Sequence, residues 1–238
     1  MESHINTFNF KGDPNVGLYC LSTNSYVIVG EDISDEKIKI LESTLRVPVI
    51  HTKIYGTPFA GIFCTGNSKN LLVPDIIFDS EFKTLKEKLN GIAKVIKFKT
   101  NKTALGNNIL CNDKSAIISE EYTDAEKKFI EKNLLVESIK SNINEGSPGS
   151  YGVLNNKGGA FGQIISDELI AKYEKFLKID IGIGSVSSGS PIISSGVVCN
   201  DNGFIISPMS TGFESGRIDE CLGLIKWYIK KWMIYRKI

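Results

Sequence analysis

Five cysteines, Cys20, Cys64, Cys111, Cys199 and Cys221, and two histidines, His4 and His51, are the residues of this chain best suited to covalent or metal chemistry. A thiolate beside an imidazole makes a nucleophile. Cys111 attracts attention because "TALGNNILCNDKSAII" (103–118) places it just before Asn and Asp and close to a glycine turn. The cysteine number is odd and no CxxC pair occurs, so neither a secreted disulfide framework nor a zinc ligand set is expected. No G-x-S-x-G elbow, H-E-x-x-H helix or Walker loop is present. The sequence therefore predicts neither a cofactor nor a metal.

The elements that carry these residues repeat. Asn24, Asn67, Asn112, Asn156 and Asn200 are spaced by 43, 45, 44 and 44 residues, and an apolar pair follows each at the fourth and fifth positions. A short run of strand character precedes each: "GLYC", "GIFC", "NILC", "YGVL" and "GVVC". On this alignment Cys20, Cys64, Cys111 and Cys199 share one place in four units, with Leu154 in the other. A nucleophile is unique in its chain, whereas a small buried hydrophobe recurs wherever its packing niche recurs. The cysteines read as core.

Each unit continues with a helix start, a polar cap with acids in the first turn: Ser34, Asp79, Thr123, Ser166 and Thr211. Thr123 with Glu126 and Thr211 with Glu214 have capping-box spacing, and Asn90-Gly91 suits a left-handed stop. For Asp79, capping is the stronger reading over partner contact. Apolar residues then recur at helical intervals, as in Phe82, Leu85 and Leu89, so each helix buries one stripe. A β-rich run follows the first four helices ("VPVIHTKI", "KVIKFKT", "VESIKS", "IDIGIGSV") and is missing after the fifth. The alternating "INTFNF" (5–10) can supply that strand and close the set into a ring. The capped helices exclude a four-strand WD40 blade, and the strands exclude a helical array. An α/β unit of about 44 residues repeated five times around an axis remains.

The net charge is +1, but residues 225–238 carry five cations and no acid, leaving residues 1–224 at −4. The expected organisation is one five-repeat domain over 1–224 and a basic, aromatic tail over 225–238. Ile218, Cys221, Leu222, Ile225 and Ile229 have helical spacing, so the fifth helix is expected to run on into the tail. No apolar run reaches the ~18 residues of a membrane span, and no signal peptide is evident, so an intracellular protein is expected.

Several stretches carry a resemblance that spans roughly residues 12–215. "VPVIHTKIYG" into "GNSKNLLVP", "ALGNNILCND", "GSYGVLNNKGG" and "SSGVVCND" are similar to the second to fifth units of the translation initiation factor 6 family, ribosome anti-association factors of archaea and eukaryotes. The resemblance implies the pentein-type α/β propeller, five pseudo-symmetric repeats around a central axis. It also implies a non-enzymatic, cytoplasmic monomer that binds the large ribosomal subunit and prevents premature association with the small one. The implied partners are the ribosomal protein uL14, the sarcin–ricin loop of the rRNA and, in a eukaryote, eL24. A eukaryotic member would add large-subunit biogenesis, a nuclear and nucleolar location, and release by a GTPase with the Shwachman–Diamond protein.

By the same resemblance, Asn67, Gly106, Asn107, Asp113 and Tyr151 are the ribosome-binding candidates. The turns at Asn67 and at Gly106-Asn107 are expected together on the subunit-facing side. Lys226, Lys230 and Lys231 are candidates for an rRNA contact through the tail. Three features depart from the family: "VSSGS" (186–190) stands where "VNRGS" is common, "AFGQ" follows "NNKGG", and the tail beyond Cys221 has no counterpart. Two other functions compete. One is a general RNA-binding module built on the tail. The other is a guanidino-group-modifying enzyme of the pentein type, for which only two histidines are available to join a cysteine.

Overall fold

The computed structural model describes residues 3–143 and 147–225, so the rRNA-contact candidates Lys226, Lys230 and Lys231 lie outside the described residues. Five three-stranded sheets alternate with helices. In each module a four-residue helix leads into an inner strand, a tight turn, a middle strand, a long helix and an outer strand.

The short helices are α1 (Val16–Tyr19), α3 (Ala60–Phe63), α5 (Leu105–Asn108), α7 (Pro148–Tyr151) and α9 (Ile193–Gly196). They touch in cyclic order, α1 on α3 through to α9 and then α9 back on α1, which closes the ring about an axis. The inner strands are β2 (Cys20–Ser22), β5 (Thr65–Gly66), β8 (Ile109–Cys111), β11 (Gly152–Leu154) and β14 (Val197–Cys199). Each pairs antiparallel with a middle strand: β3 (Val27–Val29), β6 (Asn70–Pro74), β9 (Ser115–Ser119), β12 (Gly158–Gly162) and β15 (Phe204–Ile206). The middle strands are buried throughout, as strands covered on both faces must be.

The outer strands β4 (Val49–His51), β7 (Lys94–Phe98), β10 (Glu137–Ser141) and β13 (Asp180–Gly184) pair parallel with their middle strands. The fifth place is taken by β1 (Ile5–Thr7), with Ile5 opposite Phe204 and Thr7 opposite Ile206. The N-terminus thus closes the last module, as the alternation in "INTFNF" requires. His4 fastens it: its Nε2 lies 3.0 Å from the carboxylate of Asp219, which is fully buried. Asn6 adds a 2.8 Å hydrogen bond to the Thr44 hydroxyl.

The long helices are α2 (Asp35–Leu45), α4 (Asp79–Lys88), α6 (Asp124–Leu134), α8 (Asp167–Leu177) and α10 (Gly212–Cys221). Both expected capping boxes form, Thr123 with Glu126 and Thr211 with Glu214. Asp79 is not a cap. Phe78 holds the capping position and Asp79 is the first helical residue, bonded to Lys97 at 3.0 Å. Glu81 turns back to accept from the Phe78 amide, and it also accepts from the amides of Tyr55 and Gly56 in the turn after β4. Gly91 takes the expected left-handed conformation, at φ 80°.

Helix α10 does not run on. It ends at Cys221, and Gly223 turns the chain at φ 64°. The expected continuation therefore breaks before Ile225, a change of element that periodicity cannot show, and Ile229 lies outside the described residues. The short helices were also invisible to it. "GLYC" and "GIFC" are largely helix, with the strands starting at Cys20 and Thr65. One helical turn is too short to display a 3.6-residue period. Among the described residues no helix is long and apolar enough to cross a membrane.

Candidate functional site

The axis has two ends of different chemistry, separated by inner strands of two or three residues, roughly 7–10 Å at strand rise. At one end lie the turns between inner and middle strands. Thr23, Asn67, Asn112, Asn155 and Asn200 open these turns, each with its amide bonded to the carbonyl three residues on. Their side-chain oxygens accept two further turn amides, as from Lys69 and Asn70 to Asn67 Oδ1. Each asparagine Nδ2 crosses to another module: Asn67 to Leu134 O at 2.7 Å, Asn112 to Asn155 O at 3.0 Å, Asn155 to Leu222 O at 3.0 Å and Asn200 to Leu45 O at 2.7 Å.

The following residues, Asn24, Ser68, Asp113, Asn156 and Asp201, form a second ring nearer the axis. Asn24 and Asn156 each donate to both Asp113 and Asp201, at 2.7–3.0 Å. The repeat frame drawn from residue type is therefore one position out in two modules. Thr23 and Asn155, not Asn24 and Asn156, play the part of Asn67. The cysteines change accordingly. Cys20, the first residue of β2, and Cys64, which joins α3 to β5, each lie three residues before their turn, level with Ile109, Gly152 and Val197, whereas Cys111 and Cys199 sit two residues later beside Ser22, Gly66 and Leu154. They form two tiers of the axial channel, not one place.

That channel has a volume of about 100 Å³, and no histidine lines it. Burial pushes the Cys111 thiol, which donates to the Gly66 carbonyl and lies beside the Thr65 hydroxyl, up to about 11, and the Cys199 thiol up to about 12. These thiols stay protonated at neutral pH and pack as core groups.

At the other end, Gly17, Gly61, Gly106, Gly149 and Ser194 hold equivalent places in the short helices. A Cβ on Gly106 would fall 2.0 Å from Gly61 O, and one on Gly61 would fall 1.9 Å from Gly17 O. Gly106 is required for close approach of backbones. Just outside this ring is a shallow cup lined by Leu18, Ile62, Asn107, Ser150, Tyr151 and Ile192. Asn107 is half-buried, and its side-chain amide has no hydrogen bond among the described residues.

The five sequence candidates thus divide. Gly106, Asn107 and Tyr151 lie at the cup, while Asn67 and Asp113 lie at the plugged end. The expectation that Asn67 and Gly106-Asn107 share a side is corrected by topology, because they stand at opposite ends of the inner strands. Asn67 is 4% exposed with its amide fully used. Burial acts to raise the Asp113 carboxyl, but hydrogen bonds from Ser68, Asn156 and Asn24 outweigh it and hold the group below the usual carboxylate range.

The long helices all begin at the cup end, since each middle strand returns the chain there. Nine acids occupy their first turns: Asp35, Glu36, Asp79, Glu81, Asp124, Glu126, Asp167, Glu168 and Glu214. Among the described residues, seven of the nine large exposed apolar side chains are at this end too, including Tyr55, Phe78, Ile192, Met209 and Phe213, the last 84% exposed. Sequence reading missed these, because an apolar residue in a loop carries no mark of exposure. In "VSSGS", Ser187, Ser188 and Gly189 take positive φ, and Glu214 pins the loop through the amides of Ser188 and Gly189 and the Ser185 hydroxyl.

Comparison with known proteins bears on this ring directly. A model of the eIF-6 family matches residues 5–221. The chain belongs to the eIF-6 family. It is 35% identical to translation initiation factor 6 of Pyrococcus abyssi over 93% of this chain and all of that protein. The counterpart from Saccharolobus islandicus is 36% identical, covering 89% of this chain and 96% of the relative. The one from Staphylothermus marinus is 34% identical, covering 87% and 92%. A role in translation and a pentein-type fold follow from membership, and the basic tail falls outside the family match.

Proposed function

We propose that this eIF-6 family member binds the large ribosomal subunit through the cup end of its ring and prevents premature association with the small subunit by occupying the joining surface. The observation that carries this reading is the pairing of family membership with one ring end that offers exposed apolar anchors around an uncommitted amide, Asn107. Interfaces draw most of their energy from a few such anchors in a desolvated centre. Obstruction needs only volume, rigidity and slow release, and the cyclic helix contacts supply the rigidity.

The charge of this end favours protein over RNA as the main contact. First-turn acids repel phosphates and attract the lysine- and arginine-rich surface of a ribosomal protein. That suits uL14, and eL24 in a eukaryote, with the sarcin–ricin loop as a secondary contact. Release by a GTPase with the Shwachman–Diamond protein belongs to the eukaryotic version of this reading.

Sedimentation through a sucrose gradient with purified subunits tests the proposal. The chain is expected to travel with large and not small subunits, and to reduce formation of joined ribosomes in proportion to its concentration. Equal travel with both subunits, or joining unchanged at saturation, refutes it.

A further inference from the structure

The end of the ring opposite the cup has a charge pattern of its own. Three sets of equivalent positions surround its hydrogen-bonded plug. The turn tips are Ser25, Lys69, Lys114, Lys157 and Asn202. The left-handed residues that stop α2, α6 and α8 are Arg46, Leu135 and Lys178. The starts of β7, β10 and β13 are Lys94, Glu137 and Asp180. Six of these residues are cations and two are acids. All six cations are exposed, and none forms an ion pair among the described residues.

Topology explains the arrangement. Every turn tip follows an inner strand and every helix stop precedes an outer strand, so both are delivered to the same end. The two axial acids do not cancel the pattern by pairing with lysines. Asp113 and Asp201 are held by Asn24 and Asn156, and Lys157 reaches only the backbone carbonyl of Asp201, at 2.6 Å. The chain also leaves the ring here. Gly223 packs on Lys157, and the Leu224 amide donates to the Asp219 carbonyl at 3.2 Å. The thirteen residues that follow carry five cations and no acid.

We infer that this lysine-bearing end, facing away from the cup, is a second binding surface that takes the phosphate backbone of RNA. Lys69, Lys114 and Lys157 stand around the plug as its central contacts, with Arg46, Lys94 and Lys178 outside them. Recognition is by charge and spacing, without base reading, because no aromatic side chain is exposed among these positions. The surface is independent of the cup: RNA bound here leaves Asn107 and the apolar anchors free.

The test measures anisotropy of a fluorescein-labelled, mixed-sequence, 20-nucleotide single-stranded RNA against the full chain, from low to physiological salt. Lys69→Gln/Lys114→Gln/Lys157→Gln is expected to weaken binding about 10-fold or more at low salt. Loss of three phosphate contacts should also flatten the log–log salt slope by about 2. Asn107→Ala is expected to leave RNA affinity unchanged. Circular dichroism and melting establish that the triple variant is folded, and single Lys→Gln variants replace it otherwise, each expected to lower the slope by about 0.7. Unchanged RNA affinity in the folded lysine variants overturns the inference. So does equal loss in Asn107→Ala, or displacement of the RNA by polyglutamate of the same charge at the same concentration, which would indicate an acidic protein partner instead.

Discussion

Asn67 and Asn107 show how one residue type serves two ends of the ring. Asn67 uses both amide atoms: its oxygen accepts from Lys69 and Asn70, and its nitrogen donates to Leu134 O. Asn67→Ala leaves those buried groups unpaired and is expected to cost about 1–3 kcal/mol in urea unfolding. Asn107→Ala is expected to leave the melting temperature unchanged and to weaken large-subunit binding, which co-sedimentation reads. Gly106→Ala forces a methyl onto Gly61 O and is expected to abolish soluble ring formation, measured as loss of the native circular dichroism signal. Asp113 supplies a pH test. Its folded carboxyl lies below the usual range, so its ionised form stabilises the fold above the unfolded pKa, and this contribution fades as pH falls through the folded value. The stability difference between the native chain and Asp113→Asn is therefore expected to be largest near neutrality and to shrink as the pH falls below the ordinary carboxylate range. That Asn, Gly and Asp residues cluster at turns was legible in the chain. Which of them had spare hydrogen-bonding capacity was not, since the partners of Asn67 and Asn200 lie 67 and 155 residues away.

At the scale of elements, the cap boxes and the closing strand were local enough to read. Thr123 donates nothing to the packed core but accepts the Glu126 amide, while Glu126 accepts from the Thr123 amide at 2.8 Å. Thr123→Ala is expected to cost about 1 kcal/mol, seen as a small drop in the urea midpoint with unchanged slope. Strand β1 is different, because its effect is topological. Without it β15 presents an unpaired edge, and Asp219 loses its only histidine partner. His4→Ala is expected to speed hydrogen exchange at Phe204, whose amide donates to His4 O, more than at the other middle strands. The single-turn helices escaped sequence reading for the converse reason. Their stability comes from backbone contact around the axis, with Gly17, Gly61, Gly106 and Gly149 as the permissive residues, and little of it is written in side-chain pattern.

Over the whole molecule, five helices start at one end and stop at the other, so the capping chemistry that stabilises each also polarises the ring. Acids gather where helices begin, and unpaired cations gather at the turn tips and helix stops. Large-subunit binding through the cup, anchored by apolar side chains, is expected to fall less steeply with salt than RNA binding at the lysine end. Gradient sedimentation at several salt concentrations separates the two.

The sequence by itself determined the five-part period, the α/β unit, the N-terminal closure and the family, because each rests on patterns within about 44 residues or on motifs read directly. Only the tertiary structure decided which residues meet at the axis, that the cysteines form two tiers, and that Asn67 and Gly106 face opposite ways. Those outcomes arise from contacts between residues one or more repeats apart, and a linear period records how often a position returns but not the end of the ring at which it is delivered.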